Sequence, residues 1–218
     1  MSLTLHYHPL SSFCQKVLIG LYEAGIHFEK NIVDLGNERE RAALLDLWPM
    51  GKFPVLRDDA RACTVPETSI ILEYLDEHYS TRGRLVPKEP ERARECRLRD
   101  RFFDSYVNVP MGKIVTDRLR PDGHHDAFGV EQARAQLEAA YGVAEAWLRD
   151  GDWALGADFS MADCAAAPAL LYAKEVLPFG DSRPRLTAYY RRLTERPSFA
   201  RVLAEVKPYW SMLPRKRS

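Results

Sequence analysis

The chain has 218 residues, 46% of them hydrophobic and 28% charged; this excludes a disordered chain and suffices for one large or two small domains without staples. Lys plus Arg and Asp plus Glu both number 31, so no net charge points to a nucleic-acid partner or a solvating tail. The charge is unevenly placed, however: residues 1–80 carry 7 basic and 12 acidic side chains, a net of −5, and residues 81–218 carry 24 and 19, a net of +5, which predicts two units.

Leu3, Leu5 and Tyr7 alternate with Thr4, His6 and His8, the period of a half-buried strand. Pro9 to Ser12 breaks it. A helix follows with Phe13, Val17, Leu18 and Leu21 on one stripe, and Gly25 lies just past its end as a C-cap. Phe28 to Val33 reads as a second strand. Residues 38–47 read as a short helix stopped by Pro49 and Gly51. Two β-like runs, 53–57 and 61–65, flank the turn pair Asp58-Asp59 and predict a hairpin. Thr68 or Ser69 opens a further helix with Ile71, Tyr74 and Leu75 facing inward. The first 80 residues therefore read as βαβαββα.

Residues 81–90 hold one glycine, two prolines and several charges, and read as a linker. Beyond them only helices are expected. Residues 91–118 read as one long helix with Phe102, Phe103, Tyr106 and Val107 as its stripe. A loop with His124 and His125 comes next, then a helix over 130–149 with Leu137, Tyr141, Ala144 and Leu148 at helical spacing. Ser160-Met161-Ala162-Asp163 matches a capping box and opens a helix to about residue 176. Helices over 184–195 and 198–206 are separated by Pro197. The basic ending, Pro214 to Ser218, reads as a solvated tail.

No apolar run is long enough to span a bilayer, and the opening residues lack the basic-then-apolar order of a secretory signal. The four cysteines, Cys14, Cys63, Cys96 and Cys164, form no C-x-x-C and no zinc pattern with the six histidines. Free thiols, a cytoplasmic setting and no bound metal are expected. Cys63, Cys96 and Cys164 read as buried small hydrophobes.

Three places carry chemistry. Ser11-Ser12-Phe13-Cys14 sits where a strand gives way to a helix, whose free N–H groups and positive dipole end favour an anion such as a thiolate. Either serine also serves as an ordinary N-cap. Phe53-Pro54 lacks a ladder donor at the start of a β-run, so a cis bond there leaves the Phe53 backbone able to pair with an extended ligand. Val65-Pro66-Glu67-Thr68-Ser69 places a carboxylate and two hydroxyls at a helix start, where an amino-acid head group is recognised by Glu67 through its ammonium and by the helix N–H groups through its carboxylate.

Taken in order and spacing, these motifs resemble the cytosolic glutathione transferases: a thioredoxin-like α/β domain followed by an all-helical bundle. Residues 49–56 look like the family's X-Pro loop, Glu67 to Ile71 like its E-S/T-x-x-I motif, and Phe159 to Asp163 like its capping box with a hydrophobic staple. The resemblance implies a glutathione-binding domain over 1–80, a linker over 81–90 and a helical domain over 91–218. It implies glutathione as co-substrate, a small hydrophobic electrophile, a homodimer and a detoxifying conjugation, with neither nucleic acid nor membrane as partner. Ser11 then matches the thiol-activating serine of tau- and zeta-like classes. Lys52, Phe53, Glu67 and Thr68 match residues that hold the tripeptide. Ser12 stands where many classes have proline, so it is a rival hydroxyl. Trp48 replaces the usual asparagine before Pro49. Cys14 sits where glutaredoxins carry their second cysteine, which leaves a thiol reductase or isomerase open, and a non-catalytic interaction module of the same fold as well. The electrophile pocket is expected between the halves, lined by Tyr106, Val109, Pro110, Met111 and Ile114.

Overall fold

The computed structural model describes residues 3–81, 83–149 and 151–213. Strand β1 (Leu3–Tyr7) alternates buried and half-buried positions, as its sequence requires. It pairs in parallel with β2 (Glu29–Ile32) and antiparallel with β3 (Val55–Asp58). Strand β4 (Cys63–Pro66) extends β3 antiparallel, for a sheet order β2-β1-β3-β4. The register sets Leu5 opposite Leu56, and Leu56 opposite Val65. That apolar row joins the main core with Val17, Leu18 and Leu21 of α1 (Ser12–Ala24) and Ile71, Leu72 and Leu75 of α3 (Thr68–His78). The other face carries a smaller cluster, Val33, Leu44 and Val55, under α2 (Glu38–Leu47). The element order matches the βαβαββα expected from the sequence.

Helix α1 ends on Gly25 at φ 65°, ψ 29°. Its N–H reaches back to the carbonyls of Leu21 and Tyr22, a left-handed cap that glycine adopts without steric cost. Within the stretch 81–90, Leu85 and Val86 are buried, and their N–H groups donate to the two oxygens of Asp76 at 2.9 and 2.7 Å. This connection is thereby strapped to α3.

The second half is helical. In place of the single helix expected over 91–118 there are α4 (Pro90–Phe102), a π-helical segment Phe103–Asn108, and α5 (Val109–Asp117). Pro110 accounts for the break. It has no N–H, and its ring clashes with the carbonyl four residues back; the chain widens, and the Val109 N–H bonds Asp104 O, five residues earlier. The wider turn also shifts the phase of the apolar stripe. Phe102, Phe103 and Val107 are buried, whereas Tyr106 is 62% exposed. Helix α6 (Ala127–Trp147) starts earlier than its apolar spacing indicates, because Asp126 caps it by accepting from Gly129 N at 2.8 Å.

Helix α7 (Met161–Val176) runs through the centre and is buried along nearly its whole length. Its capping box is present. Asp163 accepts from Ser160 N and Oγ, both at 2.8 Å, from Ala154 N at 2.7 Å and from Tyr189 Oη at 2.7 Å. Asp163 is thus a structural hub, in keeping with its reading as a cap. Helices α8 (Pro184–Glu195) and α9 (Pro197–Val206) and a 3-10 turn Lys207–Met212 complete the chain. Tyr22 and Lys30 from the first half reach Glu205 on α9 at 2.9 and 2.7 Å, and Arg196 makes a bidentate pair with Glu23, both bonds 2.7 Å. The basic ending at 214–218 lies outside the described residues.

Candidate functional site

Ser11 is the N-cap of α1. Its backbone is extended, φ −76° and ψ 119°, and its Oγ accepts the Cys14 N–H at 3.3 Å. That bond uses a lone pair, and the hydroxyl also lies within hydrogen-bonding reach of the Cys14 sulfur, its partner until a ligand thiolate competes for the proton. Ser12, the rival, is already committed: it donates to Asn108 Oδ1 at 2.9 Å, at the end of the π-helical segment. The two hydroxyls are therefore distinguished by their partners. Cys14 faces inward and is fully buried, with His8 N donating to its sulfur at 3.4 Å. Burial pushes its thiol up to about 12, so it stays protonated near neutrality and out of reach of a substrate. This counts against the reading in which Cys14 is the reacting thiol.

The Phe53–Pro54 peptide is cis. Phe53 precedes β3, so its backbone lies outside the ladder. Glu67 has φ 68° and ψ 123°, a left-handed conformation that is costly for a residue with a Cβ. It occupies the N-cap position of α3 but makes no side-chain cap bond, and Thr68 opens the helix as its first residue. Ser69 instead donates to Asp100 Oδ2 at 2.6 Å and accepts from Lys16 Nζ at 2.9 Å. The free N–H groups of the first turn of α3 remain directed outward from the helix start.

Phe13, Trp48, Lys52, Phe53, Pro54, Glu67 and Thr68 line one cavity of about 150 Å³. The four residues nominated for the tripeptide, Lys52, Phe53, Glu67 and Thr68, are thus brought together. Ser11 is not among the lining residues; it caps the helix whose second residue, Phe13, lines the cavity. The cavity joins one cation, Lys52, one anion, Glu67, and a helix N-terminus, a set that matches a zwitterion bearing further carboxylates. Phe13 and Trp48 were not expected in the lining; an aromatic just inside a helix and one just before a proline turn carry no sequence mark that separates lining from core.

The expected electrophile wall is divided. Tyr106 and Val109 are 62% and 61% exposed, but Pro110, Met111 and Ile114 are buried in the helical core. The last three are corrected to core residues, since the π-helical turn rotates α5 away from the phase assumed for one continuous helix. Cys96 and Cys164 are buried, as expected for small hydrophobes, while Cys63 is only partly so, with its sulfur 3.2 Å from Tyr74 Oη.

Comparison with known proteins places this arrangement. Residues 5–83 match the family model "Glutathione S-transferase, N-terminal domain", and residues 107–197 match "Glutathione S-transferase, C-terminal domain". The chain is 26% identical to glutathione S-transferase GstB of Escherichia coli K12, covering 92% of this chain and 97% of that one. It is 33% identical to FtsZ-localized protein A of Caulobacter vibrioides, covering 94% and 92%. A glutathione S-transferase of Methylobacillus flagellatus, solved with glutathione bound, superposes with a TM-score of 0.85 at 25% identity, over 92% of this chain and 98% of that one. With a four-stranded thioredoxin-like sheet, a helical second half and both family models matched in order, the chain belongs to the glutathione S-transferase family of enzymes.

Proposed function

We propose that this chain ionises the thiol of glutathione and delivers the thiolate to a small apolar electrophile, with Ser11 as the activating hydroxyl. One observation carries the reading: Lys52, Phe53, Glu67 and Thr68 share one cavity close to the α1 N-terminus that Ser11 caps. In this reading Glu67 takes the γ-glutamyl ammonium, Thr68 and the α3 N–H groups take its carboxylate, the Phe53 backbone pairs with the cysteinyl unit, and Lys52 meets the glycine carboxylate. The thiol releases its proton to solvent. The Ser11 O–H donates to the resulting thiolate, whose sulfur pair then forms a carbon–sulfur bond as the electrophile's leaving group departs with its bonding pair, or, in an addition, as a π pair shifts onto the electrophile and is protonated by solvent.

Magnitudes favour the scheme. Lowering a thiol pKa of about 8.5 by two units requires roughly 2.7 kcal/mol of preference for the thiolate. A hydrogen bond to a charged group contributes about 1.5–3 kcal/mol and a helix N-terminus about 0.3–1 kcal/mol. No general base is required. Retention on immobilised glutathione and the Ser11→Ala variant test the reading together. Conjugation at neutral pH is expected to fall by roughly 10–100-fold in Ser11→Ala, with a smaller change in glutathione affinity. Activity lost in Ser12→Ala but kept in Ser11→Ala would transfer the role to Ser12.

A second reading has its own support: the 33% identity to FtsZ-localized protein A, a protein named for where it localises rather than for a reaction. In that reading the fold is an interaction module, and the protein passes through immobilised glutathione unretained. We further take residues 1–80 and 91–218 as the glutathione-binding and helical domains, joined by 81–90, and the protein as a cytoplasmic homodimer. The opposed charges of the halves support a two-fold pairing of unlike halves.

A further inference from the structure

The loop between β1 and α1, residues 8–11, sets where the Ser11 hydroxyl lies, and little of it is held by backbone alone. Ser11 N donates to His8 O at 3.0 Å, closing a turn. The two carbonyls inside the turn, Pro9 and Leu10, find side-chain partners instead. Gln15 Nε2 donates to Pro9 O at 2.8 Å and to Tyr172 Oη at 2.8 Å. Tyr172 Oη donates to Leu10 O at 2.8 Å. The chain of donors has one direction, amide to phenol to carbonyl, because turning the Gln15 amide over would set its oxygen against Pro9 O. Gln15 is fully buried and its Oε1 has no partner among the described residues, so the amide serves the loop at the expense of its own acceptor.

Gln15 belongs to the first turns of α1, and its own N–H bonds Ser11 O at 2.9 Å, so loop and helix start move as one piece. Tyr172 comes from α7, in the helical half. Trp210 of the 3-10 turn stacks on its ring, centroids 5.7 Å apart at 15°. The second half thus holds the Leu10 carbonyl directly and the Pro9 carbonyl through the Gln15 amide bonded to Tyr172.

We infer that Tyr172, acting with Gln15 through the Pro9 and Leu10 carbonyls, is a positioning residue for the Ser11 hydroxyl and so for the ionisation of the bound thiol. The inference rests on the reading of Ser11 proposed above. Neither residue is part of the cavity lining. Their effect comes through the height and direction of Ser11 Oγ, where a displacement of order 1 Å is known to cost large factors in rate.

The test is Tyr172→Phe, which keeps the ring and its stacking on Trp210 and removes the one oxygen. The thiol pKa of bound glutathione is read from thiolate absorbance against pH, beside kcat and KM for conjugation. The pKa in the complex is expected to rise by about half to one unit, with kcat/KM at neutral pH falling about 3–10-fold. Glutathione KM is expected to stay within about twofold, and the rate to return toward that of the wild type at a pH where the thiol ionises unaided. A loss that persists at high pH, or a folded variant whose bound thiol titrates as in the wild type, overturns the inference. If Tyr172→Phe does not fold, Gln15→Glu tests the same bonds, because it removes both amide donors and draws the Tyr172 proton away from Leu10 O; the same pKa shift is expected. A wild-type protein that leaves the glutathione thiol pKa unchanged overturns both this inference and the Ser11 reading, and is told apart from the variant results because it needs no substitution.

Discussion

Lys16 is the residue most out of place by its chemistry. It is 1% exposed in the middle of α1, and its ammonium meets Asp100 Oδ1 at 2.7 Å, Asp104 Oδ2 at 2.8 Å and Ser69 Oγ at 2.9 Å. Burial pushes the Asp104 carboxyl above its ordinary range, while Lys16 pulls it back toward ionisation. Removing the cation leaves two buried carboxylates with only Ser69 on Asp100 and the more distant Arg101, 3.6 Å from Asp104, so Lys16→Met is expected to lower stability by about 3–5 kcal/mol, measured by denaturant unfolding. Adding Asp104→Asn to that variant is expected to recover a large part of the loss, and a double variant no better than the single would refute the pairing. Glu67 makes the opposite case. Its positive φ costs about 1–3 kcal/mol that glycine would avoid, so Glu67→Gly is expected to raise the thermal midpoint while weakening glutathione binding about 10-fold or more. Ser11, Phe53 and Glu67 were legible because each stands at an element boundary marked by Pro or Ser. The Ser12–Asn108 bond was not, since its partner lies 96 residues away.

Helices and strands with their own punctuation were also legible: Gly25 ended α1, and Ser160 with Asp163 opened α7. The π-helical segment was missed although Pro110 marked it, because the apolar spacing on either side reads as continuous. The capping box gives a direct test. Asp163→Ala strips acceptors from Ala154 N, Ser160 and Tyr189 at once, and is expected to cost about 3–5 kcal/mol in unfolding free energy. A second contact between elements depends on pH. Burial raises the Glu205 carboxyl, but the bonds from Lys30, Tyr22 and Arg201 together outweigh it and hold its pKa below the ordinary value. A carboxyl depressed in the folded state adds stability above its unfolded pKa and loses it as pH falls through the folded value. Glu205→Gln is therefore expected to cost about 1 kcal/mol at pH 7, an amount kept small by solvent screening. The difference from wild type is expected to shrink as pH falls below the unfolded carboxyl value of about 4.3, and to vanish only once pH has passed below the depressed folded value. A gap that stays constant with pH would show that Glu205 holds α9 by packing rather than by charge.

At the scale of the molecule, the uneven charge of the two halves predicts assembly. If the −5 half of one copy faces the +5 half of another, sedimentation equilibrium gives a dimer whose dissociation constant rises with salt. A monomer at micromolar concentration would sink that reading. The two-part layout was legible because charge and period both change near residue 80. What crosses between the parts was not, because such contacts join positions with no local pattern: Tyr22 with Glu205, Glu23 with Arg196, Gln15 with Tyr172. One of these joins has a consequence for how the protein is made. The His8 ring meets the ring of Tyr209 at 5.8 Å, and Tyr172, which holds Leu10, lies under Trp210. The loop is therefore gripped by side chains made well over a hundred residues later, Tyr172 lying 162 residues beyond Leu10. The sheet can form before these partners are made, but the Ser11 loop acquires its final shape only once Tyr172, Tyr209 and Trp210 have been synthesised. A nascent chain arrested before residue 172 is accordingly expected to be protease-resistant over its sheet and still unable to bind glutathione tightly.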